Sequence, residues 1–146
     1  MKISAQYTLP APPERVYAAL TDPAVLQRCI PGCESLTPTG EDRFDARVKV
    51  GIAALKGTYS GRAELRDQRP PHAFTLVLDG KSALGFVRTT AAITLAAVDG
   101  GTRLDCDADA QVGGLIAAVG SRLVEAAARQ QMSEFFERLR QEVSSS

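Results

Sequence analysis

The chain changes its hydrophobic period once, and that change divides it. Leu104, Cys106, Ala108, Ala110 and Val112 alternate with Arg103, Asp105, Asp107, Asp109 and Gln111. A period of two predicts a strand with one dry face and one wet face. Gly113-Gly114 then interrupts. Over residues 115–143 apolar side chains recur at helical spacing, as Ile116, Val119, Leu123, Ala127, Phe135 and Leu139. Glu125 with Arg129, and Glu134 with Arg138, stand at i,i+4 with the acid first, the supportive order. Such a helix is about 43 Å long. A chain of 146 residues packs into a body about 30 Å across. The helix must cross the whole domain, and the rest of the chain must fold against it.

The earlier part supplies a sheet to receive it. In residues 2–9, Ile3, Ala5, Tyr7 and Leu9 alternate with polar neighbours. Pro12-Pro13 opens a short helix with Val16, Tyr17 and Leu20 on one side. Asp22-Pro23 caps and starts a second, which stops at the turn dipeptide Pro31-Gly32. Four further inward rows follow: Phe44, Ala46, Val48, Val50; Tyr59, Gly61, Ala63, Leu65; Phe74, Leu76, Leu78; and Val87, Thr89, Ala91, Ile93, Leu95. Asp99-Gly100-Gly101 turns the last of these into the strand at 103–112. The expected fold class is α+β. It has a curved antiparallel sheet of about six to seven strands wrapped around one long C-terminal helix, with two short helices after strand 1. Residues 1–143 read as a single domain and 144–146 as a loose tail.

Composition matters at one point. The chain has 22 Ala and 12 Gly, no Trp, and five Phe with three Tyr. Thirteen Arg against four Lys suggest a compositional bias behind the alanines. The inward positions nevertheless hold Ala46, Gly61, Ala63, Ala91, Ala108 and Ala110, which leave space under a helix unless backbones close up. That placement favours a cavity with almost wholly apolar walls, where Tyr7, Tyr59, Thr89 and Cys106 supply the polar atoms. Its expected lining is Ile30, Phe44, Val48, Leu55, Tyr59, Phe74, Leu76, Phe86, Thr89, Val112, Leu115, Val119 and Leu123. Tyr59 and Thr89 are the candidates for orienting hydrogen bonds.

Seventeen basic residues balance seventeen acidic ones, which argues against a nucleic-acid partner. No apolar run approaches the roughly 20 residues of a membrane span, and residues 1–10 lack a signal-peptide core. Three cysteines make no disulfide framework. The expected location is cytoplasmic, with peripheral contact at the inner face of the membrane left open.

Few residues suggest chemistry. His72 follows Pro70-Pro71 at a strand start and reads as a rim residue with no nucleophile beside it. Cys29 and Cys33 flank a turn without the further ligands zinc requires; they read as small buried or half-buried thiols, with a redox pair or a crosslink to a partner as the alternative. Asp105, Asp107 and Asp109 are spaced about 6.8 Å apart along a strand, too far to share one ion, and read as a solvated face. Residues 51–57 form an apolar hairpin tip bounded by glycines. Either Ile52 and Leu55 fold back under the helix, or the tip is a lid touching membrane or partner, with Ile30-Pro31-Gly32 as the other lip. No catalytic residue, metal site or cofactor is expected.

The ordered set of motifs carries a resemblance. Asp22-Pro23, Cys29-Ile30-Pro31-Gly32-Cys33-Glu34, Lys56-Gly57 with Tyr59 and Gly61, Arg69-Pro70-Pro71, Gly85-Phe86, and Val112-Gly113-Gly114 through Gly120-Ser121-Arg122-Leu123 resemble the G-subunit family of carbon monoxide dehydrogenase. The match covers nearly all of residues 1–142. That family is similar to the START and birch-pollen-allergen superfamily, whose helix-grip fold has the architecture argued above. The resemblance implies an accessory protein rather than an enzyme. Its partners would be a hydrophobic small molecule, quinone or lipid-like, and a molybdenum hydroxylase-type carbon monoxide dehydrogenase. Many members carry a C-terminal membrane-anchoring extension; the expectation here is of a domain without one. The expected function is a non-enzymatic carrier with an apolar cavity. The alternative is a docking or membrane-recruitment module with an incidental cavity. A cyclase or hydrolase would need an inward acid or base, and the inner rows offer none.

Overall fold

The computed structural model describes residues 1–144. Strands β1 Lys2–Leu9, β2 Cys33–Gly40, β3 Arg43–Val50, β4 Gly57–Arg69, β5 Ala73–Ser82, β6 Gly85–Val98 and β7 Gly101–Gly114 form one sheet. Their order is β1-β7-β6-β5-β4-β3-β2, and every pairing is antiparallel. Helices α1 Pro13–Leu20 and α2 Pro23–Cys29 follow β1. Helices α3 Leu115–Val119 and α4 Ser121–Ser144 follow β7, and a 3-10 turn Ala53–Leu55 tips the β3–β4 hairpin. The α+β, helix-on-sheet expectation holds.

Local chemistry explains the elements. Asp22 accepts a hydrogen bond from Ala24 N at 3.0 Å and so caps α2, with Pro23 in its first turn. Such a cap contributes about 1 kcal/mol. Pro13 opens α1 in the same way, without a side-chain cap. Thr102 is fully buried, and its hydroxyl donates to Ala11 O at 2.6 Å, tying the segment before α1 to β7.

The structure departs from the sequence reading at two places. Strand β2 is not among the alternating rows. It is an edge strand on which only Leu36 is buried. Pro38, which cannot donate to a ladder, sits where the register slips. The C-terminal helix is also broken. Gly120 has φ 106° and ψ 142°, a conformation open to glycine alone. The 24 residues of α4 therefore span about 36 Å, not 43 Å. The break also resets the buried stripe. Val124, Ala127, Phe136, Leu139 and Val143 face in, whereas Leu123 is 55% exposed. Helix α4 runs through Ser144, the first residue of the expected tail; the other two lie outside the described residues.

Two separate cores result. The larger joins α1, α2 and the C-terminal half of α4 to the sheet through Leu9, Val16, Leu20, Phe74, Leu104 and Leu139. Tyr7 stacks on Phe136 at 4.3 Å between ring centres, and Tyr17 meets Phe74 edge-on at 5.5 Å. The smaller core consists of Leu55, Ile116, Val124 and Ala127, with Ile52, Tyr59, Leu84, Val112 and Val119 packed around it.

Candidate functional site

The strand register fixes what lies between the two cores. Facing residues across paired strands share a face of the sheet, so the inner face can be read in rows. Leu65, Leu76, Ala91, Ala108 and Ile3 form one row, under the larger core. The next is Phe44, Ala63, Leu78, Thr89 and Ala110. The one after is Ala46, Gly61, Gly80, Val87 and Val112. These last two rows hold mostly small side chains.

Their centre is not covered. Strand β5 is the middle strand of the seven, and its inner face points at the helix layer. Leu78 is nevertheless 38% exposed. A Cβ added at Gly80 would meet nothing within 4 Å. Val48 and Thr89 are half-buried and belong to neither core. Ala110 is buried but joins neither. A seam thus runs across the inner face beneath the first half of α4. At the β7 side, between that strand and the start of α4, lies a recess of about 310 Å³ walled by Met1, Ala110, Val112, Ala117, Gly120 and Val124. A larger recess, about 410 Å³, lies at the far end around the β4 irregularity and has Asp67, Gln68, Arg69, Thr75 and Thr94 in its wall. Its polar rim and its distance from the seam set it apart.

The expected lining residues divide accordingly. Val48, Thr89 and Val112 line the seam or the β7-side recess. Leu55, Tyr59 and Val119 build the smaller core at its entrance. Phe44, Phe74, Leu76 and Ile30 belong to the larger core. Three do not line it. Phe86 is 46% exposed on the opposite face, its ring lying over Gly113. Leu115 is 63% exposed on α3, and Leu123 flanks the seam from outside. Tyr59 is already engaged, since its hydroxyl donates to Leu55 O at 2.9 Å and fastens the 3-10 turn to β4. No other described residue hydrogen-bonds the Thr89 hydroxyl. Leu78 and Gly80 line the seam without being in the expected set. One more step of the alternation Phe74, Leu76, Leu78 lands on Gly80.

No ionisable side chain stands in the seam rows. Tyr7 and Cys106 lie on the same face inside the larger core. Burial pushes Tyr7 above the usual phenol range, aided by Cys106, and burial lifts the Cys106 thiol from 9 to about 11. Cys29 rises to about 11 for the same reason, with Glu142 contributing. Both thiols are inert near neutral pH. In the hairpin over residues 51–57, Leu55 is buried and Ile52 half-buried, while Ala53 and Ala54 are exposed.

A curved antiparallel sheet gripping a long helix, with an apolar seam between them, defines the START class of fold. By comparison with protein families, residues 6–144 match the model for the G-subunit of carbon monoxide dehydrogenase (CoxG), and the chain belongs to that family. Among solved structures, a conserved protein from Geobacillus kaustophilus is 35% identical with a TM-score of 0.96, over 100% of this chain and 97% of that one. A START superfamily protein from Mycobacterium smegmatis is 12% identical with a TM-score of 0.80, over 98% and 97%. The protein Ara h 8.0201 is 13% identical with a TM-score of 0.74, over 100% and 99%. The last two likenesses concern the fold alone. No curated protein matches the chain. Among the described residues no helix is long and apolar enough to cross a membrane.

Proposed function

We propose that the chain binds and carries an apolar small molecule of quinone or lipid class in the seam, without catalysing a reaction on it. The observation that carries this reading is the uncovered middle of the inner face: Leu78 at 38% exposure beside the open space over Gly80. Burying about 200 Å² of ligand there would contribute roughly 5 kcal/mol before the costs of ordering. Thr89 would give the ligand's one polar group a partner. Family membership supports service to a molybdenum-containing carbon monoxide dehydrogenase. Three free cysteines fit a reducing, cytoplasmic setting.

Native mass spectrometry and solvent extraction of the purified protein, with a decylubiquinone titration, test the reading. A copurifying apolar molecule, or saturable decylubiquinone binding, is expected. Filling the seam with Gly80→Val and Thr89→Leu should weaken that binding at least tenfold while Tm moves only a few degrees. A protein that carries and binds no apolar molecule, or a filled variant that binds as well as wild type, would overturn it.

A further inference from the structure

The inward stripe of α4 carries a polar residue where it passes from one core to the other. Val124 and Ala127 belong to the smaller core, and Phe135, Phe136 and Leu139 to the larger. Gln131 stands between them. It lies seven residues after Val124, four after Ala127 and four before Phe135, so helical spacing keeps it on the same face. Gln131 is half-buried, as are Ala128, Met132 and Phe135, whereas Gln130 and Ser133 are exposed. The seam runs beneath this stretch of α4, so Gln131 is the polar residue of its roof.

Its amide is unengaged. No other described residue hydrogen-bonds the Gln131 side chain, just as none bonds the Thr89 hydroxyl on the floor. The other polar groups at the seam are taken. Tyr59 donates to Leu55 O at 2.9 Å, and the N-terminal ammonium donates to Ala110 O at 2.9 Å. Gln131 and Thr89 belong to neither core. The row that holds Thr89 also holds Leu78, 38% exposed at the middle of the sheet. Both residues are neutral, and each can donate and accept. A glutamine that pairs with nothing in its own chain gives an apolar stripe no stability that a leucine would lack.

We propose that Gln131 and Thr89 form a head-group site inside the seam, which grips a neutral ring bearing an oxygen at each of two opposite edges. The assignment rests on the carrier reading and adds to it the place and the polarity of the ligand's head. Gln131 meets one oxygen from the helix layer, and Thr89 meets the other from the sheet layer. Met132 and Phe135, beside Gln131, pack on the larger core, so the head lies at the inner end of the seam. The apolar remainder then extends over Gly80, Val87 and Val112 towards α3. Because both residues also accept, the dihydroxy form of such a ring fits the same site with its hydrogen bonds reversed. A fatty acid does not fit. A carboxylate taken out of water needs a cation, and the seam rows hold none. Arg129, the basic residue of α4 next to this stretch, is exposed and paired with Glu125 at 3.5 Å.

Equilibrium dialysis of the full chain against decylubiquinone, decylbenzene and dodecanoate tests the assignment. Decylubiquinone should bind roughly tenfold or more tighter than the other two. Gln131→Leu and Thr89→Val should each weaken decylubiquinone about fivefold, and the double variant about 25-fold. Decylbenzene should bind all three variants at least as well as wild type. The Tm of Gln131→Leu should equal or exceed that of wild type, because leucine completes the apolar stripe; a glutamine needed for folding would lower it. Wild type that binds decylubiquinone no better than decylbenzene or dodecanoate would sink the head-group site and leave the carrier reading standing. So would variants that keep their decylubiquinone affinity, or that lose decylbenzene in parallel. Wild type that binds none of the three would remove the carrier reading, and the head-group site with it.

Discussion

The two ends of α4 rest on the same sheet, yet they are furnished differently. Around Phe136 and Leu139 the protein places six of its eight Phe and Tyr rings, together with Leu9, Leu20, Leu95 and Leu104. Around Val124 and Ala127 it places Leu55 and Ile116, a ring of half-buried aliphatic side chains, and one tyrosine whose hydroxyl is tied to its own loop. Interiors are close-packed, and a methylene more or less is felt. The aromatic end meets that standard by its own side chains. The other end leaves its sheet rows half covered. One end holds the fold together, and the other leaves the space in which the proposed ligand would sit.

The contrast can be broken experimentally. Leu139 is fully buried in the larger core, so Leu139→Ala should cost about 3–5 kcal/mol and lower Tm by roughly 10 °C. Val124→Ala in the smaller core should cost only about 1–2 kcal/mol, because its neighbours are few and half exposed. Denaturant titrations of both variants check the pair; equal losses would mean that the second core is as well filled as the first. Next in size is Gly120→Ala. Holding a Cβ at φ 106° should cost about 1–2 kcal/mol, read as a lower Tm. A raised Tm would mean that the break is not needed.

The thiols give a smaller, pH-dependent effect. Folded values of about 11 for Cys29 and Cys106 lie above their ordinary value of 9, so the folded state holds these protons more tightly than the unfolded chain. The stability they add is fully present below pH 9 and is lost as pH rises towards 11. Melting curves across that window should show Tm falling. Iodoacetamide at about pH 8 should label half-exposed Cys33 before either buried thiol. The smallest effect belongs to Leu123→Ser. Leu123 is 55% exposed, so Tm should move by less than a degree or two.

Much of this arrangement is legible in the amino-acid order. The alternation ending at Val112 and the switch at Gly113-Gly114 place β7 and the helix that follows it. The inward rows place Ala46, Gly61, Thr89 and Ala110 beneath that helix. The failures have physical causes. Strand β2 hides because an edge strand buries one side chain and tolerates Pro38. Leu123 and Val124 are adjacent, and only the non-helical peptide at Gly120 decides which of them faces in. Phe86 stands one residue off the row Val87, Thr89, Ala91, and a period of two puts it outside. That the seam stays uncovered depends on how far the sheet curves away from α4, which no local pattern encodes.

The interruption at Gly120 has a mechanical consequence. Ile116 N–H donates to Leu84 O, so α3 is fastened to the β5–β6 turn while its buried side chain packs on Val124 and Ala127 of α4. Any change of angle between α3 and α4 would turn about this single glycine rather than melt a long rod.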